Sequence, residues 1–297
     1  MTIHIGLAGW GDHDDLYAAG VKPGDKLAQY ANHFPVVEVD STFYAIQSRE
    51  RFAKWVADTP SSLHFVVKAY QGMTGHQRGK QEKTELAGQF AAFRHMLEPA
   101  IEVNRLRAAL FQYPPWFQCN SENVRKLREA KAYMEEIPCA LEFRHESWFS
   151  EKYSNKTIEF MENEGWIHSV CDEPQAGEGS IPTVLRTTNK EMTLVRFHGR
   201  NVSGWSQSSA PNWREVRYLY RYSEEELKEW AGKLQFLEQT SEHVCVIFNN
   251  NSGGDAAHNA KQMMELLGQK RPDGKPPLEL LPKSKQPGDQ PEQLELF

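Results

Sequence analysis

Two carboxylates interrupt an otherwise apolar stretch near the start of the chain. Val36, Val37 and Val39 predict a short strand that is buried on both faces. Glu38 and Asp40 fall on the same face of that strand, because side chains alternate along it. An acid buried without a partner is very costly, so this face must meet water, counter-charges or a metal ion. Both acids are therefore candidate catalytic residues.

Polar residues also interrupt the other predicted strands, at or near their carboxyl ends. With the two acids above, all but one of the eight predicted strands contribute to the set. Its other members are Lys68, Gln112, Glu142, Arg144, Asp172, Arg196, His198, Asn249 and Asn250. In a closed barrel such residues would point inward near the open end, where barrel enzymes place their chemistry.

Glu142 is the strongest acid–base candidate of this set, because burial raises a carboxyl pKa towards the useful range. His198 is the second catalytic candidate, and Lys68 and Arg196 could hold a phosphate or carboxylate group. An alternative stays open at this point. Acids such as Glu38 and Glu142 and bases such as Lys68 and Arg196 could simply neutralise one another in a structural ring of salt bridges.

Metal binding is a further possibility for the same segments. Residues of the types that bind metals occur on four predicted strands, and they are Glu38, Asp40, Glu142, His145, Asp172 and His198. None has a short helical ligand spacing such as HExxH, and several fixed cations in the ring oppose a divalent ion. We therefore expect no bound divalent metal, and the sequence identifies no cofactor.

Two loops contain residues suited to ligand binding. Residues 249–255 follow the last predicted strand, and their glycines would let backbone amides approach an anion. A plain turn with Asp255 as a helix N-cap is the alternative. Residues 200–222 alternate arginines with aromatic residues, including Arg200 and Trp205, as suits phosphate pairing and base stacking. These aromatic side chains could instead pack on the barrel.

The rim carries further binding candidates. Tyr44, close behind the acidic strand, is an additional aromatic candidate for substrate contact. The loop after the third predicted strand adds basic residues to the same rim, and they are His76, Arg78, Lys80 and Lys83.

The elements that must position these residues are eight predicted strands that alternate with helices. This order and a typical size of about 250 residues predict a closed (β/α)₈ TIM-type barrel over residues 1–269. A doubly wound open sheet is the alternative, but no glycine-rich phosphate loop supports it. Residues 173–192 show no helical stripe and predict an irregular crossover. Residues 270–297 are rich in proline and polar residues and predict an extended or disordered tail.

Composition excludes several classes of protein. The 297 residues carry a net charge of −6, which argues against a surface that coats nucleic acid generally. No apolar run is long enough for a membrane span, and no secretion signal begins the chain, so we expect a cytoplasmic protein without a membrane partner. The four cysteines are widely spaced and predict buried thiols rather than a disulfide framework or a zinc knuckle.

Several segments together resemble one known family. The segments are AGWGD at 8–12, VEVDSTFY at 37–44, FVVKAYQGMTGH at 65–76, FQYPPWF at 111–117, LEFRHESWF at 141–149, VCDEP at 170–174, RFHGR at 196–200 and FNNNSGG at 248–254. In this order they resemble the YecE-like barrels, the domain-of-unknown-function family number seventy-two, from about Ile3 to Leu267.

The resemblance implies a TIM-type barrel and no particular reaction. That barrel has been likened to the xylose-isomerase-like superfamily, which includes metal-dependent apurinic endonucleases. Asn251 stands where the family often has Asp, and Asp40 stands where it often has Asn. Both differences argue against a fixed metal role at these positions.

The last five residues form a possible partner-binding peptide. Gln293, Leu294, Leu296 and Phe297 resemble the short motif by which bacterial replication and repair proteins bind the DNA sliding clamp. The apolar side chains would fill a groove and Gln293 would hydrogen-bond at its edge. An incidental apolar chain end is the alternative.

The leading hypothesis is a hydrolase or related enzyme that acts on phosphodiesters or nucleic-acid components at the barrel mouth. Two alternatives remain. One is a non-catalytic module that binds phosphate or nucleic acid, and the other is a sugar or sugar-phosphate enzyme. The expected ligand is thus a phosphorylated small molecule or a nucleic acid.

Overall fold

The barrel is built from eight parallel strands that pair in chain order, with the last strand closing on the first. The computed structural model describes residues 2–77, 79, 82–205 and 216–272. The strands are β1 Thr2–Ala8, β2 Val36–Val39, β3 His64–Lys68, β4 Leu106–Gln112, β5 Cys139–Glu142, β6 Trp166–Asp172, β7 Met192–Phe197 and β8 His243–Phe248. The predicted TIM-type fold is confirmed, and the open-sheet alternative is wrong.

Helices connect the strands and form the outer layer. Within the described residues they are α1 Lys26–Tyr30, α2 Arg49–Ala57, α3 Lys83–Glu102, α4 Ser121–Met134, α5 Ser154–Asn163, α6 Val202–Trp205, α7 Glu224–Glu238 and α8 Ala256–Leu266. Residues 173–191 contain no helix, which confirms the predicted irregular crossover. Asp255 occupies the N-cap position of α8, although its side chain makes no capping hydrogen bond.

Alternation along the strands separates two apolar layers. Side chains that point outward, such as Val37 and Phe65, belong to the large core between strands and helices. Side chains that point inward form a smaller cluster inside the barrel, which includes Val36, Val66 and Ala108. Polar residues on the inward face can therefore meet only at the two ends of the barrel.

Two local features of the strands matter for the ends of the barrel. A Cβ at Gly6 would lie 1.9 Å from the Val36 carbonyl oxygen, so the close approach of β1 to β2 requires glycine there. The pairing of β3 with β4 shifts by one residue, because Phe65 faces Leu106 while Val66 faces Ala108. Arg107 is therefore the extra residue of a β-bulge, a feature that redirects a side chain.

Some predicted features fall outside the described part of the chain. They are Arg78, Lys80 and the proposed partner peptide with Gln293, Leu294, Leu296 and Phe297. The predicted boundary between barrel and tail at residue 269 stays a prediction. Among the helices that can be described, none has both the length and the apolar character that crossing a membrane requires.

Candidate functional site at the barrel mouth

Five charged side chains form a continuous chain of ion pairs just inside the carboxyl ends of the strands. Arg196 binds Glu38 with two hydrogen bonds of 2.6 and 2.8 Å and donates from Nη1 to Glu142 Oε2 at 2.8 Å. Arg144 Nη2 lies 2.7 Å from Glu142 Oε1, and Arg144 Nη1 donates to Glu173. These five residues, here called the ion-pair chain, are all buried. Glu38, Glu142 and Arg196 are thus paired as the structural salt-bridge alternative expected, whereas Lys68 is not a member of this chain.

The electrostatics of the ion-pair chain correct one prediction. Burial alone would raise the pKa of Glu142, but the positive charges of Arg196 and Arg144 outweigh it and hold this pKa well below its usual range. The expected raised pKa is therefore wrong. Ser169 Oγ donates to Glu142 Oε2 at 3.2 Å, so both carboxylate oxygens are already engaged. Glu142 is therefore ionised at neutral pH, and both of its oxygens are occupied by hydrogen bonds.

Glu173 is the acid at the end of the ion-pair chain, beyond Arg144. Burial raises its pKa to about 7 despite the attraction of Arg144. The Ile181 backbone N–H donates to Glu173 Oε1 at 2.7 Å and fixes the carboxyl group in place. In the sequence, Glu173 is only a polar residue that follows the sixth predicted strand, and no pattern indicates that it belongs to the site.

His198 is fully buried against the ion-pair chain. Burial and the charge of Arg144 hold its pKa well below the usual range, so the imidazole is neutral. Arg144 Nη2 lies 2.9 Å from His198 Nε2, and the Asn249 amide nitrogen lies 3.0 Å from Nδ1. An imidazole that accepts from Arg144 carries its proton on Nδ1, and Asn249 would then present its oxygen.

Lys68 provides a positive charge at the edge of this buried chain. Its side chain is half-buried, and its Nζ lies 4.7 Å from the centre of the Phe43 ring. Burial and the nearby charge of Arg196 lower its pKa. Within residues 2–77, 79, 82–205 and 216–272, no carboxylate oxygen lies within 4.0 Å of this ammonium group.

Two further groups near Lys68 can take part in proton transfer or hydrogen bonding. Asp40 is exposed at the rim, yet partial loss of hydration and the charge of Glu38 raise the pKa of its carboxyl group. Burial and the charges of Lys68 and Arg144 lower the pKa of His76 to about 4. His76 is therefore a neutral imidazole at the mouth rather than the positive charge expected from the sequence.

Aromatic rings surround the mouth. Tyr44 is 58% exposed and Trp116 is 56% exposed, which is unusual for side chains of this size. The Trp205 ring is buried and lies 5.1 Å from the Arg144 guanidinium carbon, while Arg217 lies 4.1 Å from the same ring. Trp205 therefore covers the ion-pair chain, whereas Tyr44 and Trp116 face solvent.

Three predicted binding residues do not join this site. Arg200 pairs with Asp172 at 2.9 Å and with Glu226 at 2.9 Å, and thereby links β6 to the start of α7. The Asn250 amide donates to the Tyr220 carbonyl and to Asn259, again on the helix side. Alternation explains the result, because Asp172 and Asn250 each follow an inward-facing residue by one position.

Two other candidates have intermediate positions. Gln112 is half-buried at the end of β4 and pairs in register with Glu142. His145 is buried, and its Nδ1 lies 2.9 Å from Ser147 Oγ at the start of a short 3₁₀ turn. His145 thus stabilises a turn instead of facing the mouth.

The residues that could bind a metal do not fit a metal centre. Glu142, Cys171 and His198 offer ligand atoms within 4.8 Å of one another. However, both oxygens of Glu142 accept hydrogen bonds from guanidinium groups, and burial raises the pKa of the Cys171 thiol well above its usual range. A cation there would have to displace two arginines, so no step of the chemistry is assigned to a metal.

The site also contains residues that the sequence did not identify as members. They are Phe43, Glu173, Ser169 and Cys171. Alternation in β6 could have identified Ser169 and Cys171 as inward-facing. Nothing local marks Glu173, since its role depends on a contact with Arg144 in a distant segment.

Comparison with known proteins gives a consistent result. The model of the family described as "Protein of unknown function DUF72" matches residues 4–284. The chain is 56% identical to the UPF0759 protein YunF of Bacillus subtilis over 266 residues, which cover 89% of this chain and 94% of YunF.

Two solved structures are similar over nearly the whole chain. A DUF72 family protein from Enterococcus faecalis V583 has a TM-score of 0.85 and 33% identity. The match covers 96% of this chain and 100% of that protein. A DUF72 family protein from Thermotoga maritima MSB8 has a TM-score of 0.75 and 31% identity, covering 91% of this chain and 100% of its own.

Proposed function

The chain belongs to the DUF72 family, and on this premise we propose that its barrel mouth is the active site of a hydrolase or related enzyme that acts on phosphodiesters or nucleic-acid components. The observation that carries the proposal is the position of Lys68. Lys68 lies half-buried at the carboxyl end of β3, and no carboxylate oxygen in the described residues lies within 4.0 Å of its ammonium group. Such a cation suits a phosphate oxygen of the substrate.

Asp40 is the group best placed to transfer a proton. Its carboxyl group is exposed at the same rim, and its raised pKa increases the protonated fraction near neutral pH. A protonated carboxyl group can donate to the leaving oxygen of a phosphate ester, a contribution of about 10²- to 10⁴-fold in rate. Lys68 would hold the phosphate group while Asp40 acts on the oxygen that leaves.

The ion-pair chain would act as a rigid floor rather than as a reactant. Each of its guanidinium groups has carboxylate partners, so it has no free charge to offer a substrate. It sets the electrostatic environment of Lys68, because the charge of Arg196 lowers the pKa of that ammonium group and the charge of Glu38 raises it. Glu142 and His198, the first catalytic candidates, are in this view positioning residues.

The exposed rings at the rim suit the rest of a nucleic-acid component. Tyr44 and Trp116 each leave more than half of the side chain in solvent. Stacking of a base on an aromatic side chain contributes about 1–3 kcal/mol. A phosphate held at Lys68 with a base stacked on Tyr44 or Trp116 would account for both the position of Lys68 and the exposure of the two rings.

The test compares Lys68→Met and Asp40→Asn with the wild-type protein on a nitrophenyl phosphodiester and on short single-stranded oligonucleotides. Lys54→Met is the matched control, because Lys54 is an exposed lysine in an ion pair with Asp58. Loss of the charged contact should lower kcat/KM by roughly 10- to 100-fold in Lys68→Met, and the control should keep its activity.

The outcomes separate the alternatives. Full activity in Lys68→Met would refute the proposed site. Binding of oligonucleotide that weakens in Lys68→Met, with no turnover by any variant, would favour the non-catalytic module. Turnover of sugar phosphates but of no phosphodiester would favour the sugar-phosphate enzyme.

We propose separately that the residues from Gln293 to Phe297 bind the bacterial sliding clamp. Support comes from the sequence alone, since these residues lie outside the described part of the chain. The extended tail predicted before this apolar peptide would let the peptide bind while the barrel reaches a substrate.

A further inference from the structure

A second group of titratable side chains lies at the opposite end of the barrel, where the strands begin. His4, His64 and His243 stand on three strands, with ring centres 5.9 Å apart for His4 and His64 and 5.3 Å apart for His4 and His243. Arg107 Nη2 lies 3.1 Å from His64 Nε2. These four residues, here called the basal cluster, are all half-buried, so solvent reaches them.

Arg107 is the unusual member of the basal cluster. The β-bulge in β4 accommodates it as an extra residue and turns its side chain towards the histidines. Its buried Nε has no hydrogen-bond partner, and no carboxylate among the described residues lies within 4.0 Å of its guanidinium group. A half-buried guanidinium group normally has an anionic partner, because its desolvation is costly.

From this geometry we propose that the basal cluster binds a phosphate-sized oxyanion, either inorganic phosphate or the phosphate group of a small ester. The planar guanidinium group of Arg107 can offer its terminal N–H groups to two oxygens of such an anion, and the anion's charge would compensate the buried, unpaired Nε–H. The three imidazoles become additional donors once they are protonated. This proposal does not depend on the function proposed for the mouth.

Protonation would accompany binding. Burial and the charge of Arg107 lower the pKa of His4 to about 3 and that of His64 to about 4, so both rings are neutral without an anion. A bound anion would offset the charge of Arg107 and raise both pKa values. The complex therefore takes up protons, and the affinity for the anion should rise as the pH falls.

Other charged groups face the basal cluster but do not replace an anion. Arg105 also lowers the pKa of His64, and its guanidinium group is occupied by Thr59 and by the carbonyl groups of Val56 and Leu63. Glu191 and Glu242 act in the opposite direction on His243. Both acids are exposed, so their charges are screened by water and salt.

The experiment measures binding of inorganic phosphate and of phenyl phosphate by calorimetry at two pH values. All variants also carry Lys68→Met, which removes the cation proposed to bind phosphate at the mouth. Calorimetry in two buffers of different ionisation enthalpy gives the number of protons taken up. Arg107→Met removes the charge at similar length, and Arg107→Lys keeps the charge but loses the planar fork.

The expected result is phosphate binding with proton uptake, stronger at pH 5.5 than at pH 7.5. Arg107→Met should weaken it roughly 10- to 100-fold, and Arg107→Lys should weaken it less. His4→Gln should lower the proton uptake, which keeps the test valid if Arg107→Met does not fold. Equal phosphate affinity with and without Arg107 would overturn the proposal. Binding of Zn²⁺ by His4 and His243, whose nitrogens lie 3.4 Å apart, without binding of phosphate would also overturn it.

Discussion

Replacement of Arg196 by methionine should destabilise the protein more than any other single change in the ion-pair chain. Arg196 donates two hydrogen bonds to Glu38 and two to Glu142, at distances of 2.6 to 3.0 Å. Glu142 would keep Arg144, but Glu38 has no other ion pair among the described residues. A fully buried carboxylate would then lack a counter-charge.

The magnitude follows from that unpaired charge. Removal of one partner from a buried ion pair costs about 3–5 kcal/mol. The free energy of unfolding of a typical domain is about 5–15 kcal/mol, so Arg196→Met would remove a large share of it. For a barrel of this size the melting temperature should fall by roughly 6–15 °C.

Arg49→Met provides the matched control. Arg49 also pairs with two carboxylates, Glu98 at 2.9 Å and Glu102 at 2.8 Å, but its side chain is 33% exposed. Exposed pairs contribute about 0–1 kcal/mol, so urea unfolding of Arg49→Met should resemble that of the wild type. The double variant with Glu38→Gln and Arg196→Met should recover part of the loss, because it leaves no unpaired charge on Glu38.

Urea unfolding, followed by circular dichroism, measures these differences. If Arg196→Met cost no more than Arg49→Met, burial of the ion pairs would not matter and the reasoning would fail. A double variant less stable than Arg196→Met alone would refute the assignment of the loss to the unpaired Glu38.

Three further predictions concern separate parts of the chain. Glu173 has a pKa of about 7 in the folded protein, which is above its value in an unfolded chain. Its contribution to stability is therefore present at pH 4 and is lost as the pH rises through 7. The free energy of unfolding should show this decline in the wild type and not in Glu173→Gln. Gly6→Ala should cost about 3 kcal/mol because its Cβ would meet the Val36 carbonyl at 1.9 Å, whereas Gly24→Ala, with no atom within 4 Å of its Cβ, should melt as the wild type does. Deletion of residues 293–297 should abolish binding to a purified bacterial sliding clamp in surface plasmon resonance and leave the melting temperature unchanged; retained binding would exclude the peptide as the docking segment.

The fold could be predicted because its signals are local. Each strand shows its apolar run and each long helix its periodic stripe, and their strict alternation leaves few topologies. The missing helix in residues 173–191 was visible for the same reason.

The candidate site could be predicted only in part, because its contacts join distant segments. Glu38 and Arg196 are separated by 158 positions, and nothing in either segment specifies that they pair. Asp172 was predicted to lie at the mouth although it faces the helices, because the expectation that polar strand residues point inward ignored the alternation along β6. The pKa of Glu142 depends on two guanidinium groups whose distances no sequence pattern supplies.

The alternating order of acids and guanidinium groups in the ion-pair chain also limits how the family can diverge. A neutral residue at one of these positions leaves the neighbouring charge without its partner. A lineage that changes Arg196 should therefore change Glu38 as well. Evolutionary paths through these positions would then require coordinated exchanges of opposite sign. Among descendants of a common ancestor, the two positions should therefore be both ionic or both neutral.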